Sequence, residues 1–286
     1  MRSRAALDPD CGPVDTGDAA ESSDYHRRAM TDQLSLRLEP ALPNPPSNLR
    51  PMLARLLPEP FDSTDHLFEP AWGGRRTLAI IGPAETPGAG EVVLMDESGR
   101  PLPLLPPELG GLGVRLAARS AILDGELVVV DAAGRADSDE LARRLAGEPG
   151  RPVAFLAFDL LHLDGRSLLN MPLEKRRDLM RRVLRPGDEV LVVPAIPGEG
   201  RALFDAVAAQ GLAGVLARQR LSPYLPGIRS RLWRFIPVRA TPGSLAEAAA
   251  DAAAEMASRV AGAAPVLALI RRLPLGFETP SEYDSL

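Results

Sequence analysis

Apolar positions along the chain come in short blocks separated by turn residues, and the period within each block predicts its element. The first 45 residues carry no sustained period; they are polar, rich in Asp, Ser and Pro, and end in LPNPPSNLRP. Such a stretch predicts a disordered arm over 1–45, with order beginning near Met52. RRTLAIIG is rich in β formers at its end, and EVVLMDESGRPL reads as a strand running into an ESG turn. AILDGELVVVDAAGR is a strand closed by a glycine turn, and DSDELARRLAG after it is a short helix capped by Asp137 or Ser138.

VAFLAFDLLHLDG, Val153 to Gly165, predicts a further strand whose side chains alternate between two faces. Leu156, Phe158, Leu160 and His162 fall on one face; Phe155, Ala157, Asp159 and Leu161 fall on the other. PLEKRRDLMRRVL predicts a surface helix with Pro172 at its first position and Gly187 beyond its end. ALFDAVAAQG predicts another helix, GVLARQ a strand, and SPYLPGIRSR a loop leading into the apolar LWRFIPV. Strands and helices mix without regular alternation, so the class is α+β. After Val238 the chain turns alanine-rich: Ser244 with Glu247 forms a capping-box pattern opening a helix that ends at Gly262. The piece PVLALIRRLPL beyond it is apolar enough to dock on the domain or on a partner, docking on the domain being the commoner case. The predicted division is an arm over 1–45, one domain over 46–238 and a helical tail over 239–286.

Composition narrows the class. With 286 residues, 45% hydrophobic and 25% charged, the chain is globular. Its single cysteine, Cys11, excludes an intramolecular disulfide and a Cys-pair zinc site, which fits a reducing cytoplasm. His26, His66 and His162 are too scattered for a metal centre. No run approaches the ~18 apolar residues of a membrane helix, and the N-terminus lacks the apolar core of a secretory signal, so a cytoplasmic place is expected. At a net charge of −5, nucleic-acid contact needs a local basic patch. RLSPYLPGIRSRLWR is the most basic stretch and, with Arg218 just before it, offers Arg218, Arg220, Arg229 and Arg231 as candidate DNA contacts. Lys175 is the one lysine in the chain. A coding bias against lysine accounts for lysine becoming arginine, though not for lysine becoming an uncharged residue.

Eight pieces now bear on identity: RPMLA, FE-x-x-W-x-G-x-R, LDGELVV, AFDLLHLDGRSLL, PLEKRR, GLAGVLAR, SPYLPG and SRLW. In order and rough spacing they resemble the nucleotidyltransferase domain of ATP-dependent DNA ligases, in particular those of bacterial end-joining. The resemblance covers about Arg50 to Val238. It implies a DNA-ligase-like, ATP-grasp-like domain of antiparallel sheets flanked by helices, ATP or AMP as ligand, Mg²⁺ for any nucleotide chemistry, and DNA ends or an end-joining protein as partner. It also implies a following OB-fold domain, of which the tail shows no sign.

In such ligases the FEPAWGGRR turn reads E-x-K-x-D-G-x-R, and its lysine attacks the α-phosphate of ATP to form lysyl-AMP. Here that position is Ala71, and the aspartate position is Gly73; Glu69, Gly74 and Arg76 still match. Where the family has E-G-V-V-A-K, this chain has Ala213 for the glutamate and Arg218 for the lysine. At the closing W-x-K-x-K, Trp233 remains while the two lysine positions hold Phe235 and Pro237. Those lysines imply phosphate contacts worth several kcal/mol of barrier per donor. The resemblance assigns Glu69 to the adenine edge, Arg76 to the ribose, Glu126 to ribose and metal, and Phe158 to stacking on adenine. Purely structural roles compete at each: Phe158 in a core, Glu126 as a solvated charge, Arg76 paired with Asp96 or another acid, and Trp72 as a core anchor. His66 and His162 read as structural.

Two principal functions follow. One is a ligase-like protein without adenylation that keeps the fold to bind nucleotide, a DNA end or a partner in DNA repair. The alternative is an active ligase or nucleotidyltransferase that joins nicks or ends through an AMP intermediate with a substitute nucleophile, for which Lys175 is the only lysine. A residual fold without any ligand is the blandest case.

Overall fold

The structure is a computed structural model that describes residues 41–238. The predicted tail over 239–286, with its Ser244–Gly262 helix, and all but the last residues of the predicted arm lie outside the described residues.

Two sheets organise the domain. The first has the order β1 (Leu53–Leu56), β11 (Arg229–Pro237), β10 (Gly214–Gln219), β2 (Ser63–Ala71) and β9 (Ile196–Gly198). The second runs β4 (Val92–Met95), β3 (Arg75–Ile81), β5 (Ala121–Val128), β6 (Ala154–Leu163) and β7 (Arg166–Ser167), with β8 (Val190–Val192) beside β6. Pairing is antiparallel except for β1 with β11 and β6 with β8, which are parallel, so the expected antiparallel sheets are mixed at these two pairs. A 3₁₀ helix, Pro107–Arg115, and three α-helices, α1 (Ser138–Leu145), α2 (Leu173–Val183) and α3 (Gly200–Ala209), complete the α+β architecture.

Local choices explain the main elements. The alternation that marks a half-solvated strand is missing from β5 and β6 because both are covered on each face, and β6 is buried from Ala154 to His162. On α3, Leu203 and Val207 lie four apart and enter one core with Phe68, Val215 and Ile236 of the first sheet. Each such fully buried aliphatic chain contributes about 1.5–3 kcal/mol. Asp137 caps α1 by accepting the Glu140 N–H at 2.9 Å, settling the choice between Asp137 and Ser138.

Two expectations need correction. The strict alternation along β6 fails because the pairing with β5 shifts register twice, once at Leu161 and once at Phe158, on either side of the Leu123–Leu160 and Asp124–Asp159 pairs. Leu160 therefore joins Phe155 and Ala157 in one core, while Leu161 packs with Met52, Leu78 and Ile122 in another. Helix α2 lies at the surface with one face inward, burying Arg176 and Arg177 along with Leu173 and Met180 while Lys175, Arg181 and Arg182 stay exposed. Pro172 stands at its N-cap, one residue before the first helical position.

Candidate functional site

The strands β2, β10 and β11 align the residues of the three altered motifs in rows. Directly paired residues share a face of the sheet. Ala71, Gly214 and Pro237 form the row nearest the turn; Glu69, Leu216 and Phe235 form the next; Leu67, Arg218 and Trp233 form the third. Ala213 donates its N–H to the Ala71 carbonyl at 3.0 Å and so belongs to the turn end. The positions Ala71, Ala213, Phe235 and Pro237 thus gather at one end of the sheet and leave it half-buried and apolar. Gly73 adopts φ 83, and a Cβ there would lie 2.8 Å from the Ala213 Cβ.

Glu126 closes this turn from the second sheet. Its Oε1 accepts the Trp72 N–H at 3.1 Å and its Oε2 accepts the Gly74 N–H at 3.0 Å. Burial pushes its carboxyl above the ordinary range, against the pull of those N–H groups and of Arg76. Trp72 is buried in the core, as its structural reading holds.

Behind the turn lies an interior charge network. Glu69, 1% exposed, pairs with Arg177 at 2.5 Å and with Arg218. Arg176 grips Asp159 with two hydrogen bonds of 2.8 Å, and the Arg218 Nη1 lies 3.6 Å from the same carboxylate. Arg177 donates to the carbonyls of Phe158 at 2.7 Å and Val193 at 2.6 Å. Burial, with Arg218 alongside, pushes the Arg177 guanidinium down to about 10 despite the charge of Glu69. Arg76 pairs with Asp124 through two bonds of 2.7 Å, and Tyr224 donates to the same carboxylate at 2.7 Å. Burial would lower Arg76, but Asp124 outweighs it and holds the guanidinium above its ordinary value.

Phe158 stands at the centre. The Arg76 Cζ is 4.5 Å from its ring centroid and the Arg218 Cζ is 4.8 Å away, while Arg218 also sits 4.9 Å from the Trp233 centroid. The structure sets Arg76 and the Glu69–Arg218 pair around Phe158 and Glu126 at the turn, and it engages Glu69, Arg76, Glu126 and Phe158 each with protein groups. Arg76 pairs with Asp124 rather than Asp96, and Glu126 is no solvated charge.

Arg218, expected among DNA contacts, is 0% exposed because its charge is drawn inward by Glu69 and Asp159. Arg220 lies part-buried and pairs with Glu174 at 3.0 Å. Arg229 and Arg231 are exposed. Lys175 is exposed on α2. His66 sits 3.0 Å from the Ser63 hydroxyl with its ring against Phe61, and His162 is buried. Asp124, Asp159, Arg176, Arg177 and Tyr224 escape the sequence reading. One signal points to the two acids: a carboxylate inside a continuously apolar strand requires a cation, which Arg76 supplies to Asp124 and Arg176 of PLEKRR supplies to Asp159.

A two-sheet α+β domain with these motifs gathered at the β2–β3 turn has the nucleotidyltransferase fold of DNA ligases. Residues 113–235 match the family model described as "ATP dependent DNA ligase domain". Mycobacterial DNA ligase D, solved with ATP and MES, superposes with a TM-score of 0.57 at 33% identity, covering 67% of this chain and 60% of that one. The ligase domain of LigD from M. tuberculosis gives 0.55 at 34% identity, covering 66% and 59%. Among curated proteins, the multifunctional non-homologous end joining DNA repair protein LigD of Mycobacterium tuberculosis is 36% identical over 187 residues, which is 65% of this chain and 23% of that protein. The chain thus spans about a quarter of those relatives. The SPbeta prophage-derived DNA ligase-like protein LigB of Bacillus subtilis is 24% identical, over 64% of this chain and 65% of that protein. Among the described residues, no helix is long and apolar enough to cross a membrane, and no group of three or more His, Cys, Asp or Glu is placed to hold a metal.

The residues do not fit Mg²⁺ and ATP. Glu126 uses both oxygens on backbone N–H groups, Ala213 offers no carboxylate, and Ala71, Phe235 and Pro237 offer no cation to a phosphate.

Proposed function

We propose that this chain is a DNA-ligase-like protein that does not form a lysyl-AMP intermediate and that serves DNA end-joining repair by binding. The supporting observation is the row Ala71–Gly214–Pro237 with Ala213 and Phe235 beside it. A methyl group has no lone pair with which to attack phosphorus, and arginines stay protonated and cannot substitute. The neighbouring side chains supply no charge to stabilise a leaving pyrophosphate. What remains is a stable two-sheet scaffold with Arg229 and Arg231 exposed along the β1–β11 edge, and its partner class is a DNA end or a protein of the end-joining machinery. A cytoplasmic place belongs to the same reading.

The test is incubation of the full chain with Mg²⁺ and ATP labelled on the α-phosphate, followed by denaturing electrophoresis and intact mass. The expected result is no AMP adduct. An acid-labile adduct would overturn the proposal, and mapping it would identify the substitute nucleophile. In a parallel titration with blunt-ended duplex, Arg229→Glu with Arg231→Glu is expected to weaken binding and flatten its salt dependence.

A further inference from the structure

We infer that Arg218 is a built-in ligand: its guanidinium fills the stacking position on Phe158 and closes the base site to purines. This rests on the reading above that the domain has ceased to use ATP, and it names the residue that shuts the base end.

The geometry is that of a bound planar cation. The Arg218 Cζ lies 4.8 Å from the Phe158 centroid and 4.9 Å from the Trp233 centroid, and the residue is 0% exposed. Its Nη2 donates to the Phe158 carbonyl at 2.9 Å and to Glu69 Oε2. Glu69, the residue the resemblance assigns to the adenine edge, is thus ion-paired from within by Arg218 and Arg177, its Oε2 taking the Arg218 hydrogen bond while its Oε1 has the charge contact with Arg177 alone. The Arg218 Nε and Nη1 have no hydrogen-bond acceptor, although Nη1 feels Asp159 at 3.6 Å. An arginine chosen only to satisfy buried carboxylates would use those donors, whereas here ring contact sets its position.

The lysine of the family pattern explains why the change is not conservative. Ammonium is a compact point charge, whereas guanidinium is flat, weakly hydrated and stacks on aromatic faces. A bias from lysine to arginine therefore converts a residue that contacts a ligand into one that replaces it. Two carboxylates and two rings offset the desolvation of the buried cation.

The first measurement needs only the wild-type full chain: the arginine side-chain Nε–H resonances, with and without AMP. The Arg218 Nε–H is expected to exchange slowly and to stay unmoved by AMP, and a signal that shifts with AMP would overturn the inference. The second compares adenosine and AMP binding by calorimetry in wild type, Arg218→Ala and Arg218→Lys. Folding is checked by near-ultraviolet circular dichroism, and the lysine variant covers the case in which alanine leaves the core too weak. A gain in adenosine affinity on the order of tenfold or more is expected in a folded variant. A folded variant that gains none would overturn the inference while leaving the proposed function untouched. An AMP adduct in wild type would overturn the proposed function instead.

Discussion

Glu126 on β5 holds Gly74 at the β2–β3 turn: its Oε2 accepts the Gly74 N–H at 3.0 Å while Oε1 accepts that of Trp72. Replacing it with alanine leaves two N–H groups without their acceptor, at about 1–3 kcal/mol each. Because burial raises its folded pKa above the ordinary 4.5, its charge works against the fold as pH rises through that range. Glu126→Ala is thus expected to lower the urea midpoint at neutral pH and to remove this pH slope. Unfolding curves at several pH values check both.

Asp124 takes two bonds from Arg76 and one from Tyr224, all of 2.7 Å. Asp124→Ala strands the guanidinium and is expected to cost about 3–5 kcal/mol. Asp124→Leu combined with Arg76→Met should cost less than the single change, which a double-mutant cycle by chemical unfolding would show. Tyr224→Phe also removes the acceptor of the Met52 N–H at 2.9 Å and is expected to cost about 1–3 kcal/mol.

Restoring the nucleophile alone should not restore chemistry. Ala71→Lys places an amine beside Pro237, Phe235 and Ala213, where no charged group meets a phosphate. The expected outcome is no AMP adduct by intact mass after incubation with Mg²⁺ and ATP.

Asp137 caps α1, and burial alone would raise its carboxyl, but the Glu140 N–H and Arg151 hold it below the ordinary 3.8. A depressed folded pKa gives stability that is full above 3.8 and is lost as pH falls through the folded value. Asp137→Ala is expected to cost about 1 kcal/mol at neutral pH. The difference from wild type should narrow below pH 3.8, as thermal melts would report.

By itself the sequence determined the α+β class, the strand at GVLARQ, a helix cap at Asp137 or Ser138 and the family resemblance, because each depends on local propensity or on motif order. Ala71, Ala213, Phe235 and Pro237 were legible as lost charges for the same reason. Only the tertiary structure decided what the retained residues touch. Glu69 and Arg218 are 149 positions apart in the chain, and nothing local pairs them. The register shifts at Phe158 and Leu161 reassigned Leu160 and Leu161 between cores, since register depends on the partner strand rather than on the period of one strand. Arg176, Arg177 and Arg218 read as surface cations in a sequence, and buried carboxylates brought within reach by folding turned them inward. A charge's side in the fold is set by where its counter-charge lies in space, which pairing across two sheets settles and composition does not.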